Sequence, residues 1–154
     1  MLSLTKKSEY ALVAVCHLAR AQQSVTSARQ IAEQHAVPLP LLMNVLKKLG
    51  HAGQVRSVRG ARGGYQLAVR PEQLTLSEVI EAVEGPLHLV ECVKASSAGR
   101  GCKRSSCCSI RRPVHRLHQR LVEFFGRVTV ADLAFDEEYA ENLRPRASAK
   151  AVGR

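Results

Sequence analysis

The chain contains no tryptophan, and its aromatics are three tyrosines and three phenylalanines. Stacking platforms of the kind that hold unpaired bases are therefore excluded as its main binding device. There is no apolar run long enough to span a bilayer. The apolar residues near the start recur at helical spacing and are interrupted by His17 and Arg20, with no small-residue cleavage site after them. That pattern argues against a secretory leader, so the expected compartment is the cytoplasm, with no membrane partner. Phosphate loops, paired carboxylates and nucleophile–base motifs are also missing, so neither an enzyme nor a small-molecule substrate is expected. Acidic residues are scarce: 13 Asp and Glu against 23 Lys and Arg leave a net charge of +10 over 154 residues. That balance suits a polyanion, nucleic acid ahead of an anionic membrane, and the want of aromatics favours duplex over single strands.

What the chain does have is a cluster of cysteines. Four of the five lie between Cys92 and Cys108, in CVKASSAGRGCKRSSCC. The other residues of this loop are small or polar and cannot bury a core, so only the thiols can fix its shape. Lys94, Arg100, Lys103, Arg104, Arg111 and Arg112 surround them with positive charge, which favours thiolate over thiol. An odd number of cysteines in a cytoplasmic chain points to metal ligands or redox sensors before disulfides.

In order along the chain, Leu4 to Arg20 reads as a helix capped by Thr5 or Ser8. Tyr10, Ala14 and Leu18 share its inner face, widened by Leu12 and Val15, and Cys16 reads as a small buried hydrophobe. Glu9 is an acid in the early turns, where a surface carboxylate is common. Ser27 caps a second helix over residues 28–36. Val37-Pro38 breaks it, and a third helix spans about 39–49 and ends at Gly50. Two short helices and a tight turn on a basic chain suggest a helix-turn-helix. The outer face of the third helix offers Asn44 for a base edge and Lys47 and Lys48 for phosphates.

A hairpin pattern follows, with strands over 54–58 and 65–69. Its tip, Arg59-Gly60-Ala61-Arg62-Gly63-Gly64, carries three glycines and two arginines, with Arg56 just before. Glycines such as Gly60 and Gly63 let a backbone approach phosphate, and an arginine such as Arg59 or Arg62 can enter a minor groove. Thr75 and Glu78 form a capping box for a helix over 75–84, closed by Gly85-Pro86. After the cysteine loop, Ile110, Val114, Leu117, Leu121, Phe124 and Val128 make an a/d seam, the pattern of a helix paired with a second copy. Thr129 caps a short last helix. From Glu141 on there is no periodicity, and a disordered basic tail is expected.

The residues from Val58 to Ala68, VRGARGGYQLA, resemble the wing of the IscR/NsrR family of bacterial winged-helix regulators. Leu4-Thr5 with Tyr10-Ala11-Leu12, and Thr75 to Ile80, resemble the family's first helix and its helix after the wing. The resemblance runs from about Leu4 to Phe135. It implies a homodimeric transcription factor on double-stranded promoter DNA, often holding an iron–sulfur cluster, 2Fe–2S or 4Fe–4S. Three loop cysteines then serve as ligands: Cys92, Cys102 and Cys108, with Cys107 as the rival for the third place. The first gap, nine residues, is longer than is usual in the family, and the second is five. Glu9 corresponds to the helix acid that completes the cluster from the partner subunit in the nitric-oxide-sensing NsrR branch, with His115 and His118 as alternatives. Arg111 stands where IscR-like members carry a histidine, which favours the NsrR-like branch.

The expected fold is thus mainly α, of α+β type: a winged helix-turn-helix with a hairpin wing, a cysteine loop and a long dimerisation helix. The expected division is 1–84 for DNA binding, 85–109 for the cluster loop, 110–135 for dimerisation and 136–154 for the tail. The expected function is a regulator, by expectation a repressor, sensing nitric oxide, redox state or iron–sulfur status. The alternative is a DNA-binding regulator with a zinc or thiol–disulfide switch and no cluster.

Overall fold

A computed structural model of the chain describes residues 3–22, 24–60, 62–90 and 108–135. Helix α1 spans Lys6–Arg20, and the Thr5 side chain caps it by accepting from the Ser8 backbone N–H. Its buried face is Ser8, Ala11, Ala14, Val15, Leu18 and Ala19. Leu12 is half-buried at the margin of that face, as expected, and Tyr10, expected on the face itself, is half-buried too. The difference has a steric cause. Helices pack on α1 from several sides, and close approach favours alanine over tyrosine at the contact.

Helix α2 (Ala28–Gln34) starts with a full capping box between Ser27 and Gln30. It stops two residues short of the expected end, and Ala36 then takes a left-handed conformation at φ 51°. Helix α3 (Leu39–His51) buries Leu42, Val45, Leu46 and Leu49. Gly50 does not terminate it. The reversal comes at Gly53, with φ 72°, where Gln54 N–H returns to the Leu49 carbonyl at 2.9 Å.

Strands β1 (Val55–Val58) and β2 (Gly64–Leu67) pair antiparallel, with Val55 opposite Leu67 and Val58 opposite Gly64. The expected second strand is shifted: it begins one residue sooner and ends two sooner. Thr26 adds an isolated bridge to Tyr65, with N···O distances of 2.8 and 3.0 Å. This third strand element lay in what reads as a plain polar connection. It gives Gly64 a reason internal to the fold, because a Cβ there would sit 2.4 Å from the Thr26 carbonyl oxygen. At Gly63 a Cβ would lie 2.5 Å from the Val58 oxygen.

A 3-10 turn (Pro71–Gln73) leads to α4 (Leu76–Glu84), capped by Thr75 and Glu78. Gly85, at φ 84°, ends it. Helix α5 (Arg111–Arg127) and helix α6 (Val130–Phe135) complete the described chain. Thr129 and Asp132 cap α6: both the Thr129 N–H and its hydroxyl bond Asp132 Oδ2, at 2.7 and 2.8 Å. The last helix returns to the first. Val130 and Ala134 join the core of α1, Val130 N–H donates to the Leu74 carbonyl at 2.7 Å, and Arg20 Nε donates to the Ala134 carbonyl at 2.9 Å. Helix α6 and the N-terminal helices therefore share one core.

His17 on α1 and His35 at the end of α2 meet edge to face, Nδ1 to Nε2, at 3.1 Å. Burial, then His35, then Arg20 push the His17 pKa down. The folded chain therefore binds protons less readily there than the unfolded chain. Stability from this contact is complete above the unfolded value of about 6.5 and is lost as pH falls through the lower folded value. Thermal melting of His17→Gln should accordingly fall less steeply between pH 7 and pH 5 than melting of the parent protein. Gly64→Ala should destabilise by about 2 kcal/mol in urea unfolding, since backbone must move to admit the methyl.

Candidate functional site

A groove of about 650 Å³ runs between α3 and the hairpin, lined by Met43, Asn44, Leu46, Lys47, Gly50, His51, Val55, Arg56, Ser57 and Tyr65. The helix puts Asn44, Lys47 and His51 on one outer face because they are spaced by three, four and seven. The inner face of the same helix is held by Leu42, Val45, Leu46 and Leu49. Asn44 and Lys47 are exposed, and so are Arg56, Arg59, Gly60 and Arg62 on the hairpin; Gly63 is half-buried. The groove thus brings together Asn44, Lys47 and Arg56, and the arginines of the hairpin tip extend the same element. His51, Ser57 and Tyr65 were not singled out from the sequence. His51 would have been, four residues after Lys47, had the helix not been ended at Gly50.

Lys48 is placed differently. It does not line the groove; its Nζ donates to the Val83 carbonyl at 2.5 Å, near the C-terminus of α4. A cation there satisfies a terminal carbonyl and suits the negative end of the helix dipole. Gln54, buried just before β1, sends Nε2 to the Glu78 carbonyl at 2.9 Å. Both α3 and the base of the hairpin are therefore fastened to α4.

On the cysteine side, Cys92, Cys102 and Cys107 lie outside the described residues. Cys108 is a half-buried free thiol three residues before the first residue of α5. Arg111, Arg112, His115 and Arg116 line a basic recess of about 540 Å³ at the start of that helix. His115 Nε2 and His118 Nδ1 are buried without a hydrogen-bond partner. Burial, then His88 and His115, push the His118 pKa down, which keeps its imidazole neutral. His115 and His118 offer nitrogen donors on the helix that follows Cys108, but among the described residues no three His, Cys, Asp or Glu side chains come together as a metal site. Glu9 is half-exposed on α1, and its carboxylate is held by Lys6 at 2.6 Å. Cys16 is a different kind of thiol: burial raises its pKa, and Arg20 opposes the shift only in part.

The apolar seam of α5 divides. Ile110, Leu117 and Phe124 are 62%, 56% and 43% exposed, and they recur every seven residues. Val114 and Leu121 are half-buried. Val128, expected at the end of the seam, is instead buried within the chain, and its carbonyl accepts from Leu76 N–H at 2.8 Å. No helix among the described residues is long and apolar enough to cross a membrane.

Two short helices, a third with a polar outer face and a hairpin closing a basic groove define a winged helix-turn-helix protein. The chain belongs to the Rrf2 family of iron-dependent transcriptional regulators, whose model matches residues 4–136. It is 30% identical to the HTH-type transcriptional regulator IscR of Aliivibrio salmonicida, over 89% of this chain and 80% of that protein. To the regulator NsrR of Shouchella clausii it is 27% identical, over 89% and 91%. The solved structure of CymR, the global cysteine regulator of B. subtilis, is similar with a TM-score of 0.66 and 28% identity, over 87% and 97% of the two chains. The family is one of transcriptional regulators, not enzymes.

The two lysines should separate by experiment. Lys47→Ala should lower affinity for every duplex alike and reduce the salt slope of binding by about one, with an unchanged melting point. Lys48→Ala should lose about 0.5–1 kcal/mol of stability in urea unfolding, as the Val83 carbonyl loses its donor.

Proposed function

We propose that the protein is a homodimeric transcriptional repressor that grips promoter DNA in the groove between α3 and the hairpin and reports the state of an iron–sulfur cluster held by its cysteine loop. The observation that carries the DNA half is the groove itself, with an amide, a lysine and an arginine on one concave surface. Asn44 offers a bidentate partner to adenine, and Lys47 and Arg56 offer charge to phosphates. Arg59 and Arg62 at the exposed tip extend this charge toward the minor groove, and Gly60 and Gly63 keep the backbone low enough to let them in. Lys48 supports the site from behind, through α4.

Cys92, Cys102 and Cys108 would hold the cluster, with Cys107 as the substitute for the last. Once bound, such a group supplies redox and ligand-exchange chemistry at thiolate sulfur. Glu9 of the partner copy is the proposed fourth ligand. Its present contact with Lys6 is a surface ion pair between exposed groups, a weak tie that a stronger partner can displace. The exposed stripe Ile110, Leu117 and Phe124 would pair with the same stripe of the second copy. The signal, nitric oxide or redox state, would act through the loop on α4, and so on both walls of the groove.

A second reading rests on the doubled Cys107-Cys108 and on the shared fold with a regulator described as governing cysteine. In it the loop is a zinc or thiol–disulfide switch. Protein purified without oxygen distinguishes the two. A sulfide- and iron-containing dimer with visible absorbance, bleached in a Cys102→Ala variant that still sediments as a dimer, is the expected result. Colourless protein carrying zinc, or neither metal nor sulfide, would reject the cluster and leave the thiol switch.

A further inference from the structure

We propose that Met43 reads the 5-methyl group of a thymine in the major groove, which makes it a specificity-determining residue of this chain. The inference rests on the DNA-reading role proposed above. Met43 is 44% exposed and lines the groove beside Asn44, Lys47, His51, Arg56 and Ser57. The core has no use for it, since Leu42, Val45, Leu46 and Leu49 already fill the inner face of α3. Leu46, Val55 and Tyr65 also line the groove, yet Met43 remains 44% exposed there and completes its burial only when the groove is filled.

The chemistry of the filler is restrictive. The floor of the major groove presents hydrogen-bonding edges, and its one ordinary apolar feature is the thymine methyl. An unbranched, polarisable thioether adapts its rotamers to meet such a small target. Asn44, next along the helix, offers the complementary carboxamide to adenine. Leu41 is also exposed, but it stands two residues and therefore roughly 200° away around the helix and does not line the groove. The pair Met43 and Asn44 thus favours A·T over G·C where α3 meets the bases.

The test uses the full chain, prepared without oxygen, and duplexes selected by it from a randomised pool. Each thymine of a selected duplex is replaced singly by deoxyuridine, which removes only the methyl. At one or more positions the replacement should weaken binding about fourfold, as expected for one buried carbon. Met43→Ala should bind the thymine and uracil forms equally. Met43 is outside the core, so that variant is expected to fold, and the uracil arm needs no variant at all. Indifference of the parent protein to uracil at every position would overturn the proposal, as would a Met43→Ala protein that keeps the discrimination. Salt-dependent duplex binding with that indifference removes methyl reading alone. No enrichment and no salt-dependent binding removes the DNA-reading role with it.

Discussion

The structure depends on α4 having carbonyl oxygens to spare. Gln54 takes the Glu78 carbonyl and Lys48 takes the Val83 carbonyl. One bond anchors the base of the hairpin and the other anchors the back of α3, so the angle between the two groove walls is set from one helix. Thr5 adds a hydrogen bond from the start of α1 to the Glu84 side chain at the end of α4. The N-terminus of α4 is tied as well, since Leu76 N–H reaches the Val128 carbonyl. The buried Nε2 of Gln54 would be costly to leave unpaired, so a shift of the hairpin must break this bond. The cysteine loop begins directly beyond the C-terminus of this helix, at Gly85. A rearrangement that moved this helix end would act on the Thr5–Glu84 and Lys48–Val83 contacts, and through the second on α3.

The chain uses cysteine in two ways. Cys16 sits against the core on α1, where burial raises its pKa and holds it as a protonated, unreactive thiol. Cys108 is half-buried just before α5, where the sequence runs on into Arg111 and Arg112. The same residue type thus packs a core in one place and is proposed as a ligand in the other. The surroundings decide which, and they follow from whether the local sequence can bury a core.

Much of this was legible in the sequence, for identifiable reasons. Capping boxes at Thr75 and the cap at Ser27 are local hydrogen-bonding rules, and they marked helix starts to within a residue. The hairpin was legible from glycine and alternation. Errors arose where a long-range contact overrode a local rule. Gly50 satisfies the pattern of a helix terminator, but the chain can continue to His51 because Gly53 takes the turn. Val128 fits the seam by spacing, yet the pairing of residues 74–76 with 128–130 pulls it inside. Thr26 gives no strand signal of its own; its bridge exists because Gly64 lets Tyr65 come close. Lys47 and Lys48 are chemically alike and adjacent, and only the position of α4 distinguishes a groove lysine from one that holds a carbonyl. The ligand set rests on spacing alone, because the residues between the cysteines are small and polar, and Cys92, Cys102 and Cys107 lie outside the described residues.

Charge sets a further condition on the proposed dimer. Helix α5 carries Arg111, Arg112, Arg116, Arg120 and Arg127 against Glu123 alone, and Glu123 is already engaged by Arg127. Bringing two such helices together along Ile110, Leu117 and Phe124 buries apolar surface but also sets two basic flanks side by side. Each copy carries +10 in all, so the repulsion is long-ranged at low salt and weak beyond about 10 Å at moderate salt. The apolar seam must therefore outweigh a penalty that a duplex touching both copies would remove. DNA would act as the counter-ion of the dimer as well as its ligand. Pairing and DNA binding are then coupled through charge alone, before any contact between the thiol loop and the groove is considered.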